Sequence, residues 1–224
     1  MNKQGVILLS GGLDSLVSLR ASQEFCDVKL ALTFDYSQLA LEDEIQAASE
    51  ICKFYNVEHK IVKLPFLAEI TNNALTDKSK ELEFEVLNND SAKAVWVPNR
   101  NGLFLNIAAS FCDSLALDYI IIGANKEEAV TFPDNSVDFL ERANDFFKFS
   151  TLQQPQILAP LKDLQKYEII NYAIKNQVPL ELLKSCYNST ELSNSKHCGK
   201  CESCKRLKNA ILKSEKKDLI NLFF

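Results

Sequence analysis

Near its N-terminus the sequence has an apolar run followed directly by a short glycine loop, an order that few folds contain. Gly5–Leu9 has the composition of a buried strand, and the string Ser-Gly-Gly-Leu-Asp-Ser follows at Ser10–Ser15. The residues after it have helical apolar spacing, so the pattern predicts a strand, a tight turn and a helix. Adjacent glycines let a ligand approach the backbone, and free amides at a helix start favour an anion. We therefore expect a phosphate site here; an ordinary glycine turn is the alternative.

The remainder of the chain alternates between extended and helical periods. This order predicts an α/β fold, an open parallel five-stranded sheet with helices on both faces. The predicted strands are Gly5–Leu9, Val28–Phe34, Val57–Leu64, Asp118–Gly123 and Gln156–Pro160. The predicted helices are Leu13–Arg20, Leu39–Tyr55, Asn99–Leu117, Val137–Phe149 and a last one capped by Asp163 and ending near Lys175. Between Phe66 and Val95 polar residues interrupt every apolar period, which predicts a long surface excursion.

Length and composition favour one main domain that fills a core. The chain has 224 residues, of which 46% are hydrophobic and 25% charged. No apolar stretch approaches the roughly 20 residues of a membrane span, so we expect no membrane partner. The N-terminal residues pass directly into the first strand pattern, which predicts no secretory signal and a cytoplasmic location. A net charge of -5 argues against a nucleic-acid surface. A basic cluster near the C-terminus is interpreted as a solvated helix face: Lys196, Lys200, Lys205, Arg206 and Lys208.

The seven cysteines fall into two groups. Cys26, Cys52 and Cys112 lie among apolar neighbours, and we expect small buried side chains there. The other four are close together, with three of them at C-x-x-C-x-x-C spacing: Cys186, Cys198, Cys201 and Cys204. Four thiolates suit a closed tetrahedral zinc site that holds the segment together, and an iron–sulfur cluster is the alternative. His197 precedes Cys198 and is expected to be solvated.

The two terminal motifs together carry a resemblance to a known family. The Ser10–Ser15 loop resembles the pyrophosphate loop (PP-loop) of the ATP pyrophosphatases. In combination with Cys-Tyr-Asn at Cys186–Asn188 and C-G-x-C-x-S-C at Cys198–Cys204, it resembles the 7-cyano-7-deazaguanine synthase family of queuosine biosynthesis. Segments between them also fit that family: Thr33–Tyr36, Asn73–Thr76, Pro98–Asn101 and Phe132–Asp134. Three departures are visible. Ser37–Ala40 stands where the family usually has Gly-Gln-Arg-His, Phe132 stands where it usually has tyrosine, and Asn125–Thr131 is only loosely similar to the family.

The resemblance implies a fold, a reaction and its partners. It implies a PP-loop domain of the adenine nucleotide alpha hydrolase-like type over residues 1–180, with a zinc-binding motif and helix over residues 181–224 packed on it. The implied enzyme is a carbon–nitrogen ligase that converts 7-carboxy-7-deazaguanine and ammonia to 7-cyano-7-deazaguanine. ATP, magnesium and one structural zinc ion are the implied cofactors. The implied intermediates are an adenylated carboxylate and an adenylated amide. The resemblance also implies that the chain forms a homodimer.

Site residues follow from the motifs. We expect Ser10, Gly11, Gly12 and Ser15 to contact pyrophosphate. Asp14 is expected to orient the loop or to hold magnesium. Asp14 and Ser15 are the two residues predicted to be catalytic. The full predicted ATP-binding stretch is Leu8, Leu9, Ser10, Gly11, Gly12, Leu13, Asp14, Ser15, Leu16, Val17 and Ser18. Arg100 is predicted to bind a carboxylate or phosphate, and Asp134 the guanine-like N–H edge; an ion pair at a helix start and a turn aspartate are the alternatives.

Two other functional interpretations stay open at this point. One is a related PP-loop enzyme, either a ligase for another carboxylate or a tRNA thiolase. The other is a non-catalytic module that binds zinc and nucleotide without turnover. Open parallel sheets bind ligands beyond the carboxyl ends of their strands, so loops beginning near Asp35, Gly123 and Pro160 are candidates for substrate binding.

Overall fold

A computed structural model describes residues 3–71, 73–77, 79–80, 94–188 and 197–224. Its strands are β1 Gln4–Leu8, β2 Asp27–Asp35, β3 Glu58–Lys63, β4 Tyr119–Ile121 and β5 Gln156–Leu158. Its α-helices are α1 Leu13–Ser22, α2 Leu41–Tyr55, α3 Phe66–Ile70, α4 Arg100–Leu115, α5 Lys126–Ala129, α6 Val137–Ser150, α7 Lys166–Lys175, α8 Glu202–Lys213 and α9 Ile220–Phe223. Short 3-10 turns lie at Pro133–Asn135, Leu180–Leu182 and Lys217–Leu219.

The five strands form one parallel sheet, which confirms the predicted fold class. Their order is β3-β2-β1-β4-β5, so β1 lies at the centre and pairs with β2 on one side and with β4 on the other. The chain therefore reverses its direction of travel across the sheet after β3. In open α/β sheets a ligand crevice forms at the carboxyl ends of the strands where this reversal occurs.

Alternation along the strands divides the core into two layers. Val6 and Leu8 of β1 point into one buried cluster, which includes α4 and α6. Ile7 and Leu9 point into the other, which includes α1, α2 and α7. Because successive strand residues face opposite sides of a sheet, this division places helices on both faces, as predicted.

The C-terminal segment contributes to both core layers. Cys186, Cys201 and Cys204 belong to the α4 side, whereas Leu207 and Ile211 of α8 belong to the α1 side. The segment therefore packs across the end of the sheet. The boundary at residue 180 between two units stays a prediction.

Two local predictions were wrong in detail. The last long helix begins at Lys166, and Gln165 caps it with Glu168 in a reciprocal capping box, so Asp163 is not the cap. The stretch from Phe66 to Val95 is not all surface, since Leu67, Leu75 and Val95 are buried in the core. Its middle, residues 81–93, lies outside the described residues. Among the described residues no helix is both long and apolar enough to cross a membrane.

Candidate active site and cysteine cluster

A cavity of about 210 Å³ opens at the carboxyl ends of the central strands. Leu9 after β1, Thr33 of β2 and Ile122 after β4 line its floor. Ser10 and Gly12–Ser15 also line it, and after the anion predicted there we call this part the phosphate end. Tyr36, Gln38, Glu44 and Arg100 line it too, and after the contact predicted for Arg100 we call this group the substrate end.

Close backbone packing holds the Ser10–Ser15 loop in place. Gly11 has φ +78°, and a Cβ there would lie 2.7 Å from the Cβ of Ala47 in α2. Ser15 Oγ donates to the carbonyl of Gly12 at 3.0 Å and accepts the N–H of Ser10 at 3.3 Å. Gly12 is the N-cap of α1 and provides no side-chain hydrogen bond to the helix. The first amides of α1 are therefore left for an anion, as the glycine motif predicts.

Part of the predicted ATP-binding stretch lines the cavity, and the rest is buried behind the lining residues. The residues that line it are Leu8, Leu9, Ser10, Gly12, Leu13, Asp14 and Ser15. Leu16, Val17 and Ser18 have no exposed surface, and Gly11 packs against α2. Those four residues shape the loop in this structure, and their contact with a nucleotide stays a prediction.

The loop after β4 packs directly against the start of α1. A Cβ at Gly123 would lie 2.9 Å from the backbone carbon of Asp14 and 2.9 Å from the nitrogen of Ser15. Real Cβ atoms do not approach backbone so closely, so only glycine fits here without moving the loop. Gly123 thus sets the distance between β4 and the phosphate end.

Lys166 joins the phosphate end to the loop after β4. Its Nζ lies 3.1 Å from Asp14 Oδ2 and 2.5 Å from Glu128 Oε1, and its side chain is only 9% exposed. Asp14 Oδ1 is buried and has no hydrogen-bond partner among the described residues. One ammonium is therefore shared between two carboxylates inside the cavity wall.

The shared ammonium affects the two carboxylates unequally. Burial raises the pKa of Asp14 to about 6, because Lys166 offsets only part of the lost hydration. Burial also acts on Glu128, but its shorter contact with Lys166 and the charge of Arg206 lower its pKa overall. Burial alone would lower the pKa of Lys166, but its two carboxylate partners raise it well above the ordinary value. Lys166 is therefore a permanent cation at the phosphate end.

Side-chain hydrogen bonds organise the substrate end. Arg100 donates to the hydroxyl of Tyr36 at 3.3 Å. Gln38 Nε2 donates to Glu44 Oε2 at 2.8 Å and to the carbonyl of Phe34 at 2.9 Å. Burial raises the pKa of Glu44 to about 7, and the contact with Gln38 offsets part of that rise. This wall therefore combines one cation with a carboxyl that changes charge near neutral pH.

The two predicted substrate residues have different surroundings. Arg100 lines the cavity, as expected of a group that binds an anion. Asp134 is buried, and its Oδ2 accepts the N–H of Asn101 at 3.2 Å near the start of α4. It is not among the residues that line the cavity. The geometry favours the alternative, a turn aspartate that fixes α4, over the predicted substrate contact.

The four cysteines that the spacing singled out come together. The sulfur atoms of Cys186, Cys198, Cys201 and Cys204 all lie within 4.8 Å of one another, and those of Cys198 and Cys204 are 3.8 Å apart. Backbone amides donate to sulfur, from Cys201 to Cys198 at 3.3 Å and from Cys198 to Cys186 at 3.4 Å. Four sulfurs about 2.3 Å from a tetrahedral ion would lie roughly 3.8 Å apart. The donor set and its spacing fit a closed metal site. Cys26, Cys52 and Cys112 are buried and apart from it, as predicted.

Two expectations for neighbouring residues were wrong. His197 is only 6% exposed, and its ring contacts those of Phe223 and Phe224. Burial lowers its pKa to about 4. Arg206, expected on a solvated face, is buried and pairs with Glu202 of its own helix and with Glu127 of α5 at 3.4 Å.

Several cavity residues were missed from the sequence. Lys166 and Glu128 follow the loops near Pro160 and Gly123 that were already candidates for substrate binding, so their position in the chain was a usable signal. Gln38 and Glu44 follow the Asp35 loop in the same way. Other missed cavity residues lie beside Cys186 and Cys204: Lys184, Ser185, Tyr187, Ser203 and Leu207.

The chain has relatives of similar length among known proteins. Residues 4–215 match the family model described as "Queuosine biosynthesis protein QueC". A 7-cyano-7-deazaguanine synthase from Methanosarcina barkeri is 42% identical over 226 residues, which cover 96% of this chain and 96% of the relative. Another, from Pelotomaculum thermopropionicum, is 44% identical over 211 residues, which cover 91% and 94%.

Solved structures share the fold at low sequence identity. A 4-thiouridine synthetase solved with RNA and bound ATP gives a TM-score of 0.52 at 18% identity, covering 98% of this chain and 52% of that one. An NMN synthetase from Francisella tularensis gives a TM-score of 0.50 at 17% identity, covering 83% and 66%. These similarities support the PP-loop architecture, and the sequence relatives carry the family assignment.

Proposed function

The chain belongs to the QueC family of queuosine biosynthesis proteins and is a carbon–nitrogen ligase, and we propose that it converts 7-carboxy-7-deazaguanine, ATP and ammonia to 7-cyano-7-deazaguanine. The single observation that carries the ATP-dependent part is the phosphate end of the cavity. There the uncapped start of α1 and the buried Lys166 ammonium meet at one surface. Backbone amides and a fixed cation are what a departing pyrophosphate requires.

The chemistry requires activation, because a carboxylate is a poor electrophile and oxide a poor leaving group. A substrate carboxylate oxygen attacks the α-phosphorus of ATP, and pyrophosphate leaves with the electron pair of the broken P–O bond. Ammonia then displaces AMP and gives the amide. The amide oxygen attacks the α-phosphorus of a second ATP, and pyrophosphate leaves again. Loss of AMP and of both amide protons then leaves the nitrile. One phosphate end serves both rounds.

Each end of the cavity has a defined task in this scheme. Amides of Gly12–Ser15 and the Ser10 hydroxyl hold the β and γ phosphates, while Asp14 keeps Lys166 directed at them. Asp14 and Glu128 are also carboxylates of the type that magnesium prefers, so we assign the ATP-bound magnesium to them. Arg100 binds the substrate carboxylate. Positioning and electrostatics suffice for this reaction, and no protein nucleophile is required.

A direct assay tests the proposal. The purified chain is incubated with ATP, magnesium, ammonium and 7-carboxy-7-deazaguanine, and products are identified by mass. We expect the nitrile with AMP and pyrophosphate, and the amide as a transient species. An Arg100→Met variant should raise the KM for the carboxylate substrate by more than tenfold. Arg142→Met is the matched control, because that arginine is 85% exposed on α6. Formation of ADP, or of AMP without nitrile, contradicts the proposal.

The cysteine cluster is proposed to hold one structural zinc ion. Four thiolates around a closed tetrahedral site leave no open position for catalysis, and metal binding there contributes folding free energy. We expect Cys186→Ser to lower bound metal and the yield of folded protein together, as measured by elemental analysis and gel filtration. Cys112→Ser, which removes a buried thiol outside the cluster, should keep the metal. Unchanged zinc in Cys186→Ser, or iron with sulfide in the wild-type protein, would refute the zinc assignment.

We further propose a homodimer in solution. Light scattering on the purified protein tests this directly, and a monomeric mass at micromolar concentration contradicts it.

A further inference from the structure

The ring of His197 is buried, although the sequence around it is mostly polar. Its backbone N–H donates to the carbonyl of Phe223 at 2.9 Å. Its ring packs against Phe223 with centroids 5.4 Å apart and against Phe224 at 5.8 Å. The end of the chain thus folds over the ring and fixes its orientation.

The ring nitrogen of His197 contacts the segment that precedes Cys186. Its Nε2 accepts the backbone N–H of Ser185 at 3.1 Å and lies 3.3 Å from the Ser185 hydroxyl. A backbone N–H can only donate, so Nε2 carries the lone pair and the proton of the neutral ring is assigned to Nδ1. The ring therefore acts at Ser185 as a hydrogen-bond acceptor.

Ser185 is in turn adjacent to the phosphate end of the cavity. The N–H of Lys184 donates to the carbonyl of Gly11 at 2.9 Å. A Cβ added to Gly12 would lie 4.0 Å from the Cβ of Ser185, and Lys184 and Ser185 both line the cavity. The glycine loop therefore rests on α2 from one side and on Lys184–Ser185 from another.

We propose that His197 is a positioning residue for the ATP loop: by accepting the Ser185 N–H it holds Lys184–Ser185 against Gly11 and Gly12. This inference rests on the proposed binding of ATP at that loop. It assigns His197 a task separate from the metal, since the ring acts through Ser185 and the four cysteines remain the metal ligands. Phe223 and Phe224 pack against the ring and hold it in place.

Two substitutions distinguish a His197 side chain that acts as a hydrogen-bond acceptor from one that only fills space. In His197→Gln the amide oxygen reaches the place of Nε2, whereas in His197→Asn the shorter side chain places its oxygen near that of Nδ1. We expect the glutamine variant to bind ATP with magnesium within about threefold of the wild-type Kd. The asparagine variant should bind about tenfold more weakly, the typical effect of one lost hydrogen bond at a binding site. Calorimetry measures the Kd, and elemental analysis should find the same metal content in all three proteins.

The outcomes are distinguishable. Equal ATP affinity in the wild-type and asparagine proteins, or equal losses in both variants, overturns the positioning role. Metal loss in the asparagine variant that accounts for its weaker binding also overturns it, because the effect would then pass through the cluster. A wild-type protein that does not bind ATP contradicts the proposed function itself.

Hydrogen exchange on the wild-type protein provides a test that needs no variant. Addition of ATP and magnesium should slow exchange at the Ser185 amide together with the amides of Gly12–Ser15. Slowing at the loop alone, with Ser185 unchanged, overturns the inference.

Discussion

The two ends of the cavity are held by different forces. At the phosphate end, backbone atoms pack at van der Waals contact, and a buried ammonium joins two carboxylates. At the substrate end, side-chain hydrogen bonds through Gln38 connect Glu44 to the backbone after β2. In the proposed reaction, a rigid phosphate end suits a pyrophosphate that takes the same position in both adenylations. A substrate end made of side chains suits a group that the proposed reaction changes from carboxylate to amide to nitrile. Substitutions should therefore have larger effects at the phosphate end.

Loss of the shared ammonium is the largest expected effect. Lys166→Met removes the ammonium that the Asp14 and Glu128 carboxylates share, so two negative charges are left close together. We therefore expect a loss of about 3–5 kcal/mol in the free energy of unfolding at pH 8. Turnover should fall by about 10²–10³-fold. Because protonation of one carboxylate relieves the repulsion, the stability deficit should shrink near pH 5. Urea denaturation at both pH values measures this, with exposed Lys162→Met as control; a deficit independent of pH contradicts the shared-ammonium account.

Gly123 tests the backbone packing at the same end. The added Cβ of Gly123→Ala must displace the start of α1, which we expect to cost about 1–3 kcal/mol of stability. The KM for ATP should rise more than the KM for the carboxylate substrate, because the displaced amides belong to the phosphate end. Gly102→Ala is not a suitable control, since a Cβ there would meet Asn99. Equal changes in both KM values would show that the two ends are not mechanically distinct.

The pH dependence of stability tests the environment of Glu44 at the substrate end. Its pKa of about 7 in the folded chain lies above the ordinary glutamate value. From about pH 4.5 to 7 the folded state therefore holds a proton that the unfolded state has lost, and stability falls as pH rises through this window. Glu44→Gln should remove this contribution to the slope and be more stable than wild type at pH 8 by about 3 kcal/mol, because one pKa unit corresponds to about 1.4 kcal/mol. The two proteins should be equally stable near pH 4.5.

Thermal melts across pH 4.5–8 provide the measurement for Glu44. Glu42→Gln, an exposed position on the same helix, is the control and should leave the slope unchanged. A wild-type stability that rises between pH 5 and 7, with a Glu44→Gln curve parallel to it, would contradict the assignment.

The smallest expected effect concerns a departure from the family pattern. Ser37 adopts φ +61°, where the family usually has glycine, and a left-handed conformation costs a non-glycine residue roughly 1 kcal/mol. Ser37→Gly should raise stability by up to about 0.5–1 kcal/mol without changing the KM for ATP. Ser49→Gly, in the middle of α2, is the opposite control and should destabilise by a similar amount. Destabilisation by Ser37→Gly would mean that the loop does not strain this backbone.

The contrast between the two ends also explains what the sequence could predict. The Ser10–Ser15 loop is six consecutive residues whose geometry depends on a strand, two glycines and a helix start, so the pattern predicted its position between β1 and α1. The cysteine cluster was predicted because its ligand spacing is short. Lys166 and Glu128 are 38 residues apart, and their meeting depends on the order of β4 and β5 in the sheet. The burial of His197 depends on Phe223 and Phe224 folding back across it, which no local pattern records.

Asp134 and Gln165 show the limit of local chemistry. Asp134 suits either a substrate contact or a turn, and its tertiary contact with α4 favours the turn. The cap of α7 at Gln165 is instead a local contact with Glu168. The Asn101 amide occupies the carboxylate of Asp134, and the Gln165 side chain caps α7 although Asp163 is the better N-cap residue type.

Isotope transfer shows whether a substrate oxygen attacks the α-phosphorus of ATP, as the proposed reaction requires. The experiment uses 7-carboxy-7-deazaguanine with both carboxylate oxygens replaced by ¹⁸O, and mass spectrometry of the AMP released. Each proposed adenylation transfers one substrate oxygen to phosphorus, so we expect every AMP formed to carry one ¹⁸O and the nitrile to carry none. Unlabelled AMP, or label in phosphate with ADP as the nucleotide product, would contradict it.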